Sequence, residues 1–172
     1  MQGDGDAAAR VRAAVDRHQR QLMAYAVSIV RDVELARDLV QEAFLRLCRH
    51  ADEVPPARIA PWLFKVCRNL CFDTLRKDGR VVSIDAASTE HVAAPARGDV
   101  ENFGVALAAI EALPANQREV IKLKFLHELS YREIADVKEL SVANVGYLIH
   151  MGLRAVRRTL RVSPLPVMEV TP

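Results

Sequence analysis

The sequence predicts an all-α protein made of two small helical domains joined by a flexible acidic linker. Apolar side chains recur every three or four residues through two long blocks, which is the period of amphipathic helices. No run alternates between apolar and polar residues as a half-buried strand would. Between the blocks, "GRVVSIDAASTEHVAAPARGDVEN" contains glycine, proline and small residues without a sustained period. We therefore predict a first domain over residues 8–78, a linker over 79–104, a second domain over 105–162 and a loose tail over 163–172.

The first block predicts three helices. Asp32 is suited to cap the second, because its carboxylate can accept hydrogen bonds from the free amides of a first helical turn. Pro61 suits the first turn of the third, where a missing backbone N–H is tolerated. The predicted core positions are Val11, Val15, Leu22, Ala26 and Ile29, then Leu35, Leu39, Ala43 and Leu47, then Leu63, Val66, Cys67, Leu70 and Leu75.

The second block predicts four short helices, of which the last two form a helix-turn-helix. Pro114 separates the first two helices, because the residue before a proline avoids the helical conformation. Ser130 and Glu133 have the spacing of a capping box, and Ser141 is suited to cap the last helix. The apolar positions that the motif needs are filled by Ile134, Ala135, Leu140, Val142 and Val145. Small helical bundles can show the same pattern, so two interpretations stay open.

Composition limits the classes of function. The 172 residues carry 24 basic and 22 acidic side chains, a formal charge of +2, which is far from the strongly basic composition of a protein that coats nucleic acid. Any contact with DNA must therefore come from local patches. Residues 81–104 carry four acidic side chains and one basic one, so the linker is acidic.

The cysteines and the apolar runs favour a cytoplasmic protein without membrane insertion. Three cysteines give no paired disulfide framework, and the polar, acidic residues 1–6 lack the pattern of a signal peptide. Cys67 and Cys71 stand four residues apart, but no further ligand follows at the spacing of a metal site, so we expect core cysteines and no metal. The apolar runs are too short to span a membrane.

No catalytic constellation stands out, so we predict neither an enzyme nor a cofactor. The five histidines are scattered, and the chain has no glycine-rich phosphate loop. No pair of carboxylates stands in an evident pocket. His127 beside Glu128 is expected to be a surface pair rather than an acid–base device.

Two polar helix faces are candidates for binding. In "DLVQEAF" an acidic face with an apolar rim, formed by Asp38, Gln41, Glu42 and Leu45, suits a protein partner, although an ordinary solvated surface would look the same. The third helix presents Lys65, Arg68, Asn69, Arg76 and Lys77 on one face, with Trp62 and Phe64 at its start. Basic groups hold phosphates, asparagine can read a base edge, and aromatic rings can stack on an unpaired base. The alternative interpretation is that Trp62 belongs to the core and that the lysine and arginine side chains are ordinary solvated surface residues.

Three segments in order resemble the extracytoplasmic-function (ECF) sigma factors of bacterial RNA polymerase, over roughly residues 10–161. They are "LMAYAVSIVRDVELARDLVQEAFLRL", "PWLFKVCRNLCFDTLRK" and "ALPANQREVIKLKFLHELSYREIADVKELSV". The resemblance implies that the first domain is sigma region 2, that the second is region 4, and that the linker threads the polymerase channel.

The resemblance also implies binding residues on three surfaces. Core polymerase would contact Asp38, Leu39, Gln41, Glu42, Phe44 and Leu45. The third helix and the loop before it would open the minus-ten promoter element and hold a flipped base, through Trp62, Lys65, Arg68, Asn69, Asp73, Arg76 and Lys77. The helix-turn-helix would read the minus-thirty-five element through Ser130, Tyr131, Arg132, Ser141, Val142, Ala143, Asn144, Gly146, Tyr147, His150 and Arg154.

The chain departs from the family pattern in the helix-turn-helix. Lys138 and Glu139 stand where the family usually has Leu-Gly, and a left-handed residue there is strained unless it is glycine, so the turn is open to reshaping. "NVGYL" replaces the usual Thr-Val-Lys-Ser-Arg. We expect Asn144 and Tyr147 to face DNA, with Arg154, Arg157 and Arg158 either on the DNA backbone or solvated.

The predicted function is that of a sigma factor that binds core RNA polymerase through its beta and beta-prime subunits, directs it to promoter DNA and helps melt the minus-ten element. The resemblance also implies an anti-sigma factor as a partner. A stand-alone helix-turn-helix regulator that binds duplex DNA, and an adaptor that meets only protein, are the alternatives.

Overall fold

The computed structural model describes residues 3–79 and 99–162. Its helices are α1 Gly3–Val30, α2 Val33–Arg49, α3 Ile59–Lys77, α4 Asp99–Glu111, α5 Ala115–Phe125, α6 Tyr131–Lys138 and α7 Val142–Val162, with a 3₁₀ turn at Pro56–Arg58 before α3. All regular structure in this part of the chain is helical, which confirms the predicted class. Helix α4 begins six residues before Val105, inside the predicted linker. Most of that linker, residues 80–98, and the predicted loose tail lie outside the described residues.

The helices belong to two compact units. The first consists of α1, α2, α3 and α6, and the second consists of α4, α5 and α7. Helix α6 packs against α3, although more than fifty residues separate them in the sequence.

The three predicted helices of the first block form the core of the first unit. Tyr25 of α1 packs edge-on against Phe64 of α3, with ring centroids 5.3 Å apart, a favourable aromatic geometry. Cys67 and Cys71 are fully buried, as expected of core cysteines. The backbone N–H of Leu35 donates to Asp32 at 3.0 Å, which confirms the predicted cap of α2.

Helix α6 begins with the predicted capping box and ends in a strained turn. The backbone N–H of Glu133 donates to the hydroxyl of Ser130 at 3.3 Å, and the backbone N–H of Ser130 donates to the Glu133 carboxylate at 2.7 Å. At the other end Glu139 has φ 56° and ψ 43°, the left-handed conformation that glycine usually supplies. The turn is therefore not reshaped, because Glu139 itself adopts this conformation.

The second unit packs α7 on α4 and α5. Ala109, Leu113, Ile121 and Val156 form its buried cluster. Gly152 lets α7 approach closely, since a Cβ built there would lie 2.5 Å from Cδ1 of Ile121.

One sequence expectation in this unit is wrong. His127 is not on the surface: it is only 8% exposed, while its neighbour Glu128 is exposed. Burial and the nearby charge of Lys122 lower the pKa of His127 to about 4. The ring is therefore neutral at physiological pH and is buried in the fold.

Within the described helices, none combines the length and the apolar character that crossing a membrane requires.

Candidate nucleic-acid and partner interfaces

The outward face of α3 carries all seven residues that the sequence assigned to minus-ten DNA. Asn69, Asp73, Arg76 and Lys77 are exposed, and Trp62, Lys65 and Arg68 are half-buried. The buried Leu63, Cys67 and Cys71 lie on the opposite side of the helix. Sequence periodicity therefore separated the polar, outward face of α3 from its core face, because both repeat at three- and four-residue intervals.

Side-chain contacts within this face order two of its arginines. The guanidinium of Arg68 lies 4.6 Å from the ring centroid of Phe72, within the range of a cation–π contact. Arg76 forms an ion pair with Asp73 one turn earlier. Asp73 is therefore placed to orient a basic side chain, and an acidic group is not itself suited to hold a phosphate.

A cleft of about 710 Å³ lies at the start of α3. The rings of His50 and Trp62, which both line it, stand with their centroids 6.2 Å apart and are tilted by 52°. Its lining residues are His50, Glu53, Val54, Pro55, Arg58, Pro61, Trp62, Lys65 and Asp136. An aromatic ring, basic groups and carboxylates around one concave space can stack on an unpaired base and hydrogen-bond to its edge.

Sequence reasoning found only part of this cleft. It pointed to the loop before α3 without naming residues, and missed His50, Glu53 and Arg58. The succession of a polar loop, two prolines and a tryptophan is a signal that could have indicated them. No comparable signal indicates Asp136, which comes from α6 and reaches the cleft only through the tertiary fold.

Two ion pairs join α6 to this face. Arg58 and Asp136 are 2.5 Å apart, and Nζ of Lys65 lies 2.9 Å from Oε1 of Glu139. The hydrogen bond and charge of Lys65 hold the pKa of Glu139 below its ordinary value. Both carboxylates are therefore placed beside basic groups that could otherwise hold DNA phosphates.

The acidic face of α2 is accessible, whereas two further residues that the resemblance assigned to core polymerase are buried. Asp38, Gln41 and Leu45 are exposed and Glu42 is half-buried. Leu39 and Phe44 are 9% and 8% exposed, so their side chains support the core instead of the face.

Glu42 is already engaged within α2. Nε of Arg46 donates to Glu42 at 2.9 Å, and Arg49 stands 3.8 Å from the same oxygen. The hydrogen bond from Arg46 is the main cause that lowers the pKa of Glu42. The carboxylate is therefore charged and held in place on an accessible surface.

The predicted DNA-contacting residues of the helix-turn-helix are accessible. Tyr147 is 61% exposed and Val142 47%, while Val145 and Ile149 are buried. Gly146 is half-buried, and the remaining positions assigned to this motif are exposed: Ser130, Tyr131, Arg132, Ser141, Ala143, Asn144, His150 and Arg154. Arg157 and Arg158 are exposed as well. The outward positions of α7 thus include both Asn144 and Tyr147.

Among the described residues, no group of three or more histidine, cysteine, aspartate or glutamate side chains is arranged to hold a metal ion.

Comparisons with known proteins find matches to both halves of the chain. The family model "Sigma-70 region 2" matches residues 14–81, and "Sigma-70, region 4" matches residues 104–156. The ECF RNA polymerase sigma factor SigM of Bacillus subtilis is 34% identical over 125 residues, which cover 70% of this chain and 76% of SigM. SigL of Mycobacterium tuberculosis is 32% identical over 164 residues, 90% of each chain.

A solved structure has a similar fold. The sigma factor RpoE, in complex with the anti-sigma factor NepR from Bartonella quintana, matches with a TM-score of 0.63. The match covers 89% of this chain and 98% of RpoE at 23% identity.

Proposed function

The chain belongs to the ECF RNA polymerase sigma factors, and we propose which of its surfaces bring core polymerase to a promoter and open the DNA there. As a sigma factor it initiates transcription. Region 2 spans α1 to α3, and region 4 spans α4 to α7. The chain itself provides binding surfaces, and the chemistry of RNA synthesis belongs to the polymerase.

The face of α3 and its cleft bind the opened minus-ten element. The observation that carries this proposal is the cleft of about 710 Å³ at the start of α3, whose lining includes the aromatic rings of Trp62 and His50 and the basic side chains of Lys65 and Arg58. Opening a duplex costs a few kcal/mol for each unstacked base, and a pocket that stacks and hydrogen-bonds the base offsets that cost. Arg68, Asn69, Arg76 and Lys77 continue the face along the helix, where they can follow the strand.

The acidic face of α2 is the proposed contact with core polymerase. Asp38, Gln41, Glu42 and Leu45 combine charge with an apolar side chain that is 44% exposed, a mixture suited to the rim and centre of a protein interface. Arg46 holds Glu42 in one geometry, which reduces the entropy lost when a partner binds.

The exposed side of α7 is the proposed reader of the minus-thirty-five element. It offers Asn144, Tyr147 and His150 where basic residues are more usual, so phosphate contacts supply little of its affinity. A polymerase that holds both DNA-binding regions raises their effective concentration, and two weak contacts then act as one strong contact. This arrangement fits a chain whose formal charge is only +2.

We also propose an anti-sigma factor as a partner and the cytoplasm as the place of action. The fold similarity to RpoE, which was solved with NepR, supports the proposal of an anti-sigma partner. Promoter binding requires access to the chromosome, which supports the proposal of a cytoplasmic location.

Reconstitution with core polymerase tests the proposed function. The purified chain and core polymerase are incubated with a random-sequence DNA library, and bound DNA is sequenced after several rounds. We expect enrichment of one bipartite motif and transcription from it in a run-off assay. Core polymerase alone is the control. Failure to bind core polymerase, or absence of transcription from every enriched sequence, contradicts the proposal.

A further inference from the structure

The first half of α7 is uncharged and presents apolar side chains to solvent. No residue over 142–153 is a lysine, arginine, aspartate or glutamate. Tyr147 is 61% exposed and Val142 47%, whereas Val145 and Ile149 are buried. An exposed aromatic ring and an exposed valine therefore lie in the part of the helix that meets base edges when a helix-turn-helix binds DNA.

Four exposed residues in the first two turns of α7 form one small surface. They are Val142, Ala143, Asn144 and Tyr147, and we use the name reading surface for them. Ala143 and Tyr147 are four residues apart, so their side chains are neighbours on the helix. The reading surface is thus mainly apolar, with a single side-chain amide.

We propose that the reading surface selects A·T base pairs in the minus-thirty-five element through apolar contact with thymine methyl groups, and that it requires no guanine. The inference rests on the proposed function of α7 and deepens it by naming the base pairs that the helix reads.

The major groove distinguishes these base pairs chemically. Thymine presents a C5 methyl group there, whereas guanine presents the two acceptors N7 and O6. Arginine and lysine make the commonest specific contact with guanine, and apolar side chains contact the thymine methyl group. The first half of α7 has apolar side chains and neither basic residue, so it favours thymine and offers guanine no bidentate partner.

The two polar residues near the reading surface are consistent with A·T pairs. The amide of Asn144 has the donor and the acceptor that adenine N7 and N6 require. His150 is exposed one turn after Tyr147, and a single ring N–H can donate to N7 of a purine. Because adenine and guanine both carry N7, that bond adds affinity without selecting guanine.

Basic residues appear only in the second half of α7. Arg154, Arg157 and Arg158 are exposed, and Arg154 follows Val142 by twelve residues, about 18 Å along the helix axis. At that distance they are suited to contact phosphates, which position a protein on DNA but carry no sequence information. Base selection and phosphate attraction are thus separated along the helix.

Selection of promoters by the holoenzyme gives the first test. In the motif enriched by the full chain with core polymerase, we expect the upstream half to consist mainly of A·T pairs. An invariant guanine in the strand or its complement at the positions that α7 protects from methylation would overturn the inference.

Replacing single thymines by uracil tests the methyl contact itself. Deoxyuridine pairs like thymidine and lacks only the C5 methyl group. We expect a uracil at a contacted position of the upstream half to weaken holoenzyme binding about fourfold, the effect of losing one buried methyl-sized group. Fluorescence anisotropy of labelled promoter duplexes measures the affinity. A uracil in the spacer between the two halves is the control and should change it less than 1.5-fold.

Substitution of Tyr147 identifies the side chain that makes the contact. Tyr147→Ala should abolish the uracil effect at one thymine and leave the others, whereas Tyr147→Phe, which keeps the ring, should preserve the effect at every position. Phe125→Ala removes another ring, 52% exposed at the end of α5, and should also preserve it. All three positions of substitution are on the surface, so the fold should be unaffected, as circular dichroism checks.

The outcomes separate this inference from the proposed function. If uracil in the upstream half acts no more strongly than in the spacer, the reading surface does not contact thymine, and its apolar side chains are better suited to a protein partner. Identical uracil effects in Tyr147→Ala and Tyr147→Phe would also overturn the inference. In both cases transcription by the holoenzyme leaves the proposed function intact. Absence of transcription from every enriched sequence contradicts the proposed function, and the inference then fails with it.

Discussion

At the scale of single residues, His127 shows how burial selects a protonation state. Burial is the largest cause that lowers its pKa to about 4, and the positive charge of Lys122 adds to it. In the unfolded chain the same imidazole has its ordinary pKa near 6.5. Between these two values the unfolded chain binds the extra proton, so the free energy of unfolding falls as the pH falls.

We predict that His127 makes the chain less stable in mild acid. From pH 7.5 to pH 5.0 the free energy of unfolding should fall by about 2 kcal/mol through this group, because the folded protein must keep the ring neutral. Urea unfolding followed by circular dichroism measures the change. His127→Gln should reduce the dependence on pH, whereas His150→Gln, at an exposed position, should preserve it. If the free energy of unfolding depended on pH equally in the parent and in His127→Gln, the assignment of this pH dependence to His127 would be wrong.

Asn69 is exposed on the face of α3, and a side-chain amide can hydrogen-bond to a base edge. We predict that Asn69→Ala slows formation of the open promoter complex by about tenfold and weakens closed binding by less than threefold. Permanganate footprinting follows opening, and filter binding follows the closed complex. Gln19→Ala, which removes an exposed amide from α1, is the matched control.

A pre-melted template distinguishes the role of Asn69 in opening from general binding. If the amide stabilises the flipped base, the defect should remain when the duplex is already open, but it should then appear as faster dissociation of the complex. Equal losses in closed and open binding would assign Asn69 to general affinity.

At the scale of helices, Gly152 sets how closely α7 approaches α5. The added methyl group of an alanine would lie 2.5 Å from Cδ1 of Ile121, a contact that the side chain must move to relieve. Overpacking of this kind costs about 1–3 kcal/mol, and the helix propensity of alanine returns about 1 kcal/mol. The close packing should therefore outweigh the propensity.

We predict that Gly152→Ala destabilises the chain by about 1 kcal/mol in thermal or urea unfolding. Gly104→Ala is the matched control: its Cβ meets nothing within 4 Å in α4, so the same substitution should stabilise by about 0.5–1 kcal/mol. Adding Ile121→Val removes the obstructing Cδ1. The double variant Gly152→Ala/Ile121→Val should lose less free energy of unfolding than the sum of the losses in the two single variants. Strict additivity would show that the two positions are not coupled.

At the scale of the whole molecule, we expect affinity for promoters to depend on assembly with polymerase. The chain has nearly balanced charges. The first half of the helix that we assign to the minus-thirty-five element has no lysine or arginine. Both features suit a protein whose DNA contacts act together only when a polymerase holds them. The acidic face of α2 is then the surface on which the other contacts depend.

We predict that Asp38→Lys/Glu42→Lys weakens binding to core polymerase at least tenfold without unfolding the chain. The two carboxylates are accessible on α2, and reversing their charge removes electrostatic complementarity with a basic partner surface. Surface plasmon resonance with immobilised core polymerase measures affinity, and circular dichroism checks the fold. Asp16→Lys/Glu128→Lys makes the same change of charge elsewhere. Unchanged affinity of the α2 variant would reject this face as the docking site.

The sequence by itself determined the helices, the caps and the two faces of α3. Helical periodicity is a local property, so the spacing of Leu63 and Cys67 against Lys65 and Asn69 was enough to separate core from surface. Capping is local as well, which is why Asp32 and Ser130 could be assigned from their neighbours. The resemblance of three segments in order predicted the family, and the comparisons confirmed it.

Only the tertiary structure decided which distant residues meet. Phe44, which was not among the predicted core positions, is buried because α1 and α3 pack on α2. His127 is buried by the packing around it, which its polar neighbour Glu128 does not reveal. The ion pairs of Arg58 with Asp136 and of Lys65 with Glu139 join residues more than seventy positions apart. Local spacing carries no record of such contacts, because they arise from how helices pack against one another and not from the period of any one helix.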